Sequence, residues 1–216
     1  MTFIFDFDGT IANTLDLILD IYNERITREF GCKFFDKSRL EEFRQKRPAS
    51  FLRTFGVTPL KLPFIIYRVK TLLKQRMQEV QPHEGMRSLL EQLEAQTIEM
   101  GIVTSNSESN VNLFLEQHGM QQYFRFIRSS RSLTSKKRSL NKVIAKYQLD
   151  RAKILYIGDE IRDIRSSRAA KIRCAAVTWG HQNGKLLATQ HPDVLIKHPS
   201  ELLSWIQIQK NGAEVG

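Results

Sequence analysis

The chain opens with an apolar run at residues 3–5 that passes into Asp6-Phe7-Asp8 and then a Gly9-Thr10 turn. Residues 3–8 read as a buried strand. From 15 to 30, apolar side chains recur at helical spacing (Leu15, Ile18, Leu19, Tyr22, Ile26), and Gly31 supplies the stop. Short helices are predicted over 40–45 and 49–55, punctuated by Pro48 and Gly56, and a longer one over 62–80. No strand is expected before the break at Gln81-Pro82-His83-Glu84-Gly85.

Beyond that break the period changes. Predicted helices over 86–96, 107–118, 139–147, 161–170 and 199–207 alternate with predicted strands over 98–104, 124–127, 154–157, 174–178 and 194–196. Such alternation implies a mostly parallel sheet covered on both faces. The expected class is therefore α/β: a three-layer Rossmann-like core, with an α-helical cap inserted after the first strand. The core would comprise residues 1–13 and 84–216 and the helical insert 14–83, joined by linkers at 11–14 and 81–85. The tail from Asn211 is expected to fray.

Length and composition are those of an ordinary globular chain: 216 residues, 41% hydrophobic and 26% charged. No apolar run approaches a membrane span, and Asp6 and Asp8 interrupt what a leader would need. Two cysteines, Cys32 and Cys174, have no metal or redox spacing, so a reducing, cytoplasmic compartment is expected. The net charge of +10 favours anionic partners. Arg125, Arg128, Arg131, Lys136, Lys137 and Arg138 concentrate part of it, most simply in a solvated loop.

Open parallel sheets bind ligands just beyond the carboxyl ends of their strands. Asp6 and Asp8 occupy that place after the first strand. Two like charges so close repel unless a cation joins them, although Asp and Gly also simply form turns. After the second core strand comes Thr104-Ser105-Asn106, where Ser105 suits a phosphoryl oxygen or Ser and Asn cap the next helix. After the fourth comes Gly158-Asp159, with Asp163 one helical turn on. Lys136 and Lys137 precede a helix, where the dipole disfavours a cation unless an anion faces it.

In this order the residues resemble the haloacid dehalogenase superfamily of phosphohydrolases, most of all its phosphoglycolate-phosphatase-like members. The matching positions are Asp6-Phe7-Asp8-Gly9-Thr10, Ser105, Lys136, and Gly158-Asp159 with Asp163, and they span nearly the whole core. The resemblance implies a magnesium-dependent phosphatase acting on a small phosphorylated metabolite through an aspartyl-phosphate. It makes Asp6 the nucleophile and Asp8 the general acid/base. Ser105 and Lys136 would hold the phosphoryl group, with Lys136 preferred over Lys137. Asp6, Asp8 (through its carbonyl) and Asp159 would hold the metal, and Asp163 a metal water. Thr10, Asn106 and Arg44 are expected toward the substrate. Arg44, Lys46, Arg47 and Arg53 surround Pro48 and either reach an anionic substrate or form a solvated helix face. No histidine is assigned a role, and Trp179 and Phe34-Phe35 are expected to pack. A phosphomutase, or a basic protein binding anions or nucleic acid with little turnover, remains open. Nucleic acid is not the expected partner, and neither is a membrane; oligomeric state is not readable.

Overall fold

The computed structural model describes residues 1–45, 53–130 and 135–213. The expected helix over 49–55 begins outside these residues, and Lys46, Arg47, Pro48 and Arg131 lie outside them altogether.

Six strands form one sheet: β1 (Thr2–Phe5), β2 (Glu99–Thr104), β3 (Phe126–Ser129), β4 (Ile154–Gly158), β5 (Arg173–Val177) and β6 (Val194–Ile196). Their order is β3-β2-β1-β4-β5-β6, and every pairing is parallel. The chain therefore winds outward in one direction through β2 and β3, then in the other through β4, β5 and β6. The reversal leaves a crevice beyond the ends of β1 and β4. This is the expected helix-covered α/β class.

The core strands are apolar on both faces because helices cover both. Phe3, Phe5, Ile102, Leu155, Ile157 and Val177 belong to one cluster, with α5 (Met86–Ala95), α6 (Glu108–Gln117) and α10 (Pro199–Ala213). Ile4, Val103, Tyr156, Cys174 and Ala176 belong to the other, with α7 (Lys136–Lys146) and α8 (Ile161–Ala169).

Between β1 and α5 there is no further strand among the described residues; the α-helices there are α1 (Leu15–Ile21), α2 (Thr27–Phe30), α3 (Leu40–Gln45) and α4 (Leu62–Gln75). A π-helical turn, Tyr22–Ile26, joins α1 to α2, and Gly31 ends that run in the left-handed conformation. Leu17, Ile21, Leu72, Leu73 and Met77 extend the sheet's own apolar cluster, so the insertion shares its base with the sheet. Its outer part has separate small clusters, around Leu19, Phe35 and Phe55 and around Ile26, Val57 and Ile65. The connecting segments pair with each other: Asn13 N–H donates to the Gln81 carbonyl and His83 N–H to that of Ile11, both at 2.9 Å.

Several elements differ from the pattern-based expectation. The third strand lies at Phe126–Ser129 rather than 124–127, because a 3₁₀ turn at Gln121–Tyr123 precedes it. Phe126 pairs with Gly101, whose missing side chain leaves room for the phenyl ring. The helix expected over 62–80 stops at Gln75, and a 3₁₀ turn at Met77–Glu79 finishes the segment. The helix expected from 139 starts at Lys136, and the last one runs on to Ala213. A short helix, α9 (Gly184–Ala188), was not expected; Asn183 caps it, its side chain accepting from Leu186 N–H. Phe35 is buried as expected, whereas Phe34 is 68% exposed.

Candidate active site

Beyond Phe5 the first strand continues just far enough for Asp6 N–H to reach the Ile157 carbonyl, at 2.8 Å. That bond places Asp6 at the crevice. One carboxylate oxygen accepts from Phe7 N–H at 2.8 Å, and the other from Lys136 Nζ at 2.6 Å. Phe7 packs edge-on against Phe114, with centroids 5.1 Å apart, and anchors the turn from below.

Lys136 stands in the first turn of α7 and is 1% exposed. Its ammonium contacts Asp6 and, at 2.5 Å, Asp163 Oδ1. The Tyr156 ring lies 5.5 Å away. Burial opposes its charge, but the two carboxylates outweigh burial and hold its pKa above the ordinary lysine value. The anion that a lysine at a helix start requires is thus Asp6 with Asp163, and of the doublet it is Lys136 that faces them while Lys137 is exposed.

Asp163 owes its place to helix capping. Glu160 is the N-cap of α8, and Asp163 Oδ2 accepts from Glu160 N–H at 3.0 Å in a capping box. The remaining oxygen is free to face Lys136. Asp159, fully buried, accepts from the Thr10 hydroxyl at 3.0 Å and from His181 N–H at 2.7 Å. Burial works against its ionisation, yet the neighbouring His181 ring and N–H bring its pKa down to about 2. Gly9, at φ +74°, turns the chain against this carboxylate; any side chain there would overlap Asp159 and the His181 ring.

Asp8 is half-buried, and its Oδ1 accepts from Asn106 Nδ2 at 3.0 Å. Burial and then the charge of Asp6 push its pKa up to about 6, far above that of an ordinary aspartate. Asn106 is held in turn: its side-chain oxygen accepts from Ser107 N–H and from Asn110 Nδ2. Ser107 caps α6 by accepting from Asn110 N–H at 3.2 Å. Capping therefore falls to Ser107, which leaves Ser105 at the end of β2 without that duty.

Three expectations about the substrate side change. The Thr10 hydroxyl is engaged by Asp159, and the Asn106 amide by Asp8, so both support carboxylates. The Arg44 guanidinium reaches across from α3 to the loop after β5. It donates through Nε to the Gly180 carbonyl at 2.9 Å and through Nη2 to the Thr178 carbonyl at 2.5 Å. His181 borders the site although no histidine was assigned to it, its Nδ1 lying 3.1 Å from Asp159 Oδ2. The rule of looking just past each strand end points to it, since β5 ends at Val177. Arg162, ion-paired with Glu160 at 2.6 Å, also stands beside the carboxylates. Trp179 packs against the sheet's apolar cluster as expected, and its ring N–H donates to the Thr10 carbonyl at 3.0 Å.

Asp6, Asp159 and Asp163 each offer an oxygen within 4.8 Å of the others, and all three are buried. The Asp8 side chain is not in that set, and Asp163 belongs to it directly. A donor set made only of carboxylate oxygens fits a hard divalent cation such as magnesium and gives zinc no nitrogen or sulfur.

Fold and site together define an α/β enzyme that works with carboxylates at the switch point of a parallel sheet. The chain belongs to the haloacid dehalogenase-like hydrolase family, whose sequence pattern matches residues 3–177. A phosphoglycolate phosphatase from Synechococcus elongatus is 32% identical over 200 residues, covering 93% of this chain and 94% of that protein. Pyrophosphatase PpaX from Bacillus pumilus is 25% identical over 207 residues, covering 94% of each. A haloacid dehalogenase-like family hydrolase from Streptococcus pneumoniae shares the fold, with a TM-score of 0.79 at 21% identity over 95% of this chain and 97% of that one. No helix of the described residues is long and apolar enough to cross a membrane.

Proposed function

We propose that this hydrolase is a phosphatase that cleaves the phosphate ester of a small metabolite through an aspartyl-phosphate on Asp6. The observation that carries this reading is the Asp6 carboxylate itself: its Oδ2 is held by a buried lysine 2.6 Å away, and Asp8 comes two residues on with a pKa of about 6. Asp6 attacks phosphorus in line with the leaving oxygen, and the P–O bond to that oxygen breaks. Asp8, protonated in this step, gives its proton to the departing alkoxide. It then takes a proton from the water that attacks the aspartyl-phosphate, which releases inorganic phosphate and restores Asp6. Asn106 keeps Asp8 oriented through both steps. Ser105 donates to a phosphoryl oxygen, and Lys136 fixes the Asp6 rotamer while offsetting charge on the transferring group.

Asp6 and Asp159, with the Asp8 carbonyl, would hold magnesium, and Asp163 would support it from beside Lys136. Bound there, it supplies the positive charge that lets a phosphate dianion approach two aspartates. Residues 14–83 act as a cap on the core formed by 1–13 and 84–216, hinged where 11–14 pairs with 81–85. The two cysteines, both free and buried, suit a reducing cytoplasmic compartment.

Phosphoglycolate is the first substrate to try, because a relative 32% identical is named a phosphoglycolate phosphatase; pyrophosphate, an anhydride rather than an ester, is the second, after the relative named a pyrophosphatase. The test is phosphate release from a panel of both compounds and of sugar phosphates, with magnesium and with a chelator. Release from at least one ester, lost with the chelator and in Asp6→Asn, is expected. Full turnover by Asp6→Asn would overturn the assignment.

A further inference from the structure

The loop of residues 178–183 is stitched to the site from several directions. His181 N–H and its ring both meet Asp159 Oδ2, at 2.7 and 3.1 Å. The Trp179 ring N–H holds the Thr10 carbonyl, and Gln182 Oε1 accepts from Ile161 N–H at 2.7 Å, at the start of α8. Gly180 lies so close to the Gly9 carbonyl and the Asp159 carboxylate that a β-carbon would overlap both. The loop thus forms one wall around Asp159.

Its other side is held by the inserted helices. Arg44, at the end of α3, donates to the Thr178 and Gly180 carbonyls, on either side of Trp179 in the chain and just before His181. The Arg44 carbonyl also accepts from Asn183 N–H at 3.1 Å. A planar guanidinium that bonds two carbonyls from fixed positions sets the orientation of that loop in a way a single flexible donor cannot. The Arg44 side chain is only 14% exposed, while its partner Glu41 is 65% exposed, so the carbonyl contacts are the sheltered part of the arrangement.

We propose that Arg44 is a positioning residue: by pinning the 178–183 loop from the inserted helices, it fixes Asp159 and so couples their docking to the strength of the cation site. This rests on the reading of Asp159 as a magnesium ligand. Groups that orient a ligand from the second layer govern affinity without touching the ion. Arg44 therefore acts on the cation through two peptide units and His181, and not on the substrate.

The test uses the full chain, magnesium alone and no ester. Magnesium affinity is measured by calorimetry for wild type, Arg44→Ala, Arg44→Lys and Glu41→Gln, and hydrogen exchange is monitored at the His181 amide. Arg44→Ala should weaken magnesium binding about 10-fold or more, the usual cost of losing a group that orients a ligand. It should also accelerate exchange at His181. Arg44→Lys, which can reach one carbonyl at a time, should fall between, and Glu41→Gln should match wild type in both readouts. If Arg44→Ala does not fold, the intermediate affinity of Arg44→Lys carries the test. Unchanged magnesium affinity in Arg44→Ala or, failing that, in Arg44→Lys overturns the coupling. No magnesium binding by wild type overturns the coupling together with the metal assignment.

Discussion

The sheet and the inserted helices use charge in opposite ways. At the ends of the sheet, Asp6, Asp159, Asp163 and Lys136 are each at most 1% exposed, with the Tyr156 ring 5.5 Å from the Lys136 ammonium. In the insertion, the ion pairs of Arg25 and Arg68 with Glu29 and of Arg76 with Glu24 and Glu79 lie on the surface. The insertion also leaves Leu60, Phe64 and Tyr67 exposed, by 85, 67 and 74%. Burying a charge is costly unless it is paired, and on the proposed reading these buried charges serve the chemistry. Those of the insertion cost little and contribute little, and they keep a thin helical layer in water. On that reading the buried, paired charges do the chemistry and the solvated ones keep the insertion in water.

Lys136→Ala should break the comparison most visibly. It strips Asp6 and Asp163 of their shared partner, and removing one member of a buried ion pair typically costs about 3–5 kcal/mol. Urea melts should show that loss, and turnover should vanish with it. A variant as stable as wild type would mean that the carboxylates find another partner. Next in size is Phe114→Ala, a fully buried ring beneath Phe7; such truncations cost about 3–5 kcal/mol. Phe64→Ala, in the insertion, should leave the melting midpoint where it was. Equal losses from the two would erase the contrast in packing. The smallest effect belongs to Arg68→Ala: the pair with Glu29 is held in water, and thermal melting should not detect its removal.

The sheet is legible in the sequence because most of its strands are largely apolar and three of them run into chemistry-bearing residues, whereas β3, Phe-Ile-Arg-Ser, is half polar and its bounds escape the pattern. Asp6, Ser105 and Asp159 each stand just past a strand end, and Lys136 carries a charge that the helix dipole disfavours. The insertion is less legible. Its helices are visible, but the π turn at Tyr22–Ile26 and the end of α4 at Gln75 depend on tertiary contacts that periodicity does not report. Thr10, Asn106 and Arg44 are expected toward the substrate since each can donate to an anion. Which acceptor a donor takes is decided by its neighbours in space, and here those are Asp159, Asp8 and the carbonyls of Thr178 and Gly180. His181 carries no motif spacing; only its place after the end of β5 points to it.

That the Asp6 carboxylate bonds covalently to phosphorus can be tested by quenching turnover on an accepted ester with acid, reducing the protein with borohydride, and sequencing its peptides by mass spectrometry. An acyl phosphate is reduced to an alcohol, so the account predicts homoserine at position 6 and unchanged aspartate at positions 8, 159 and 163. Unmodified Asp6 in a sample that was turning over, with the label on another carboxylate, would contradict it.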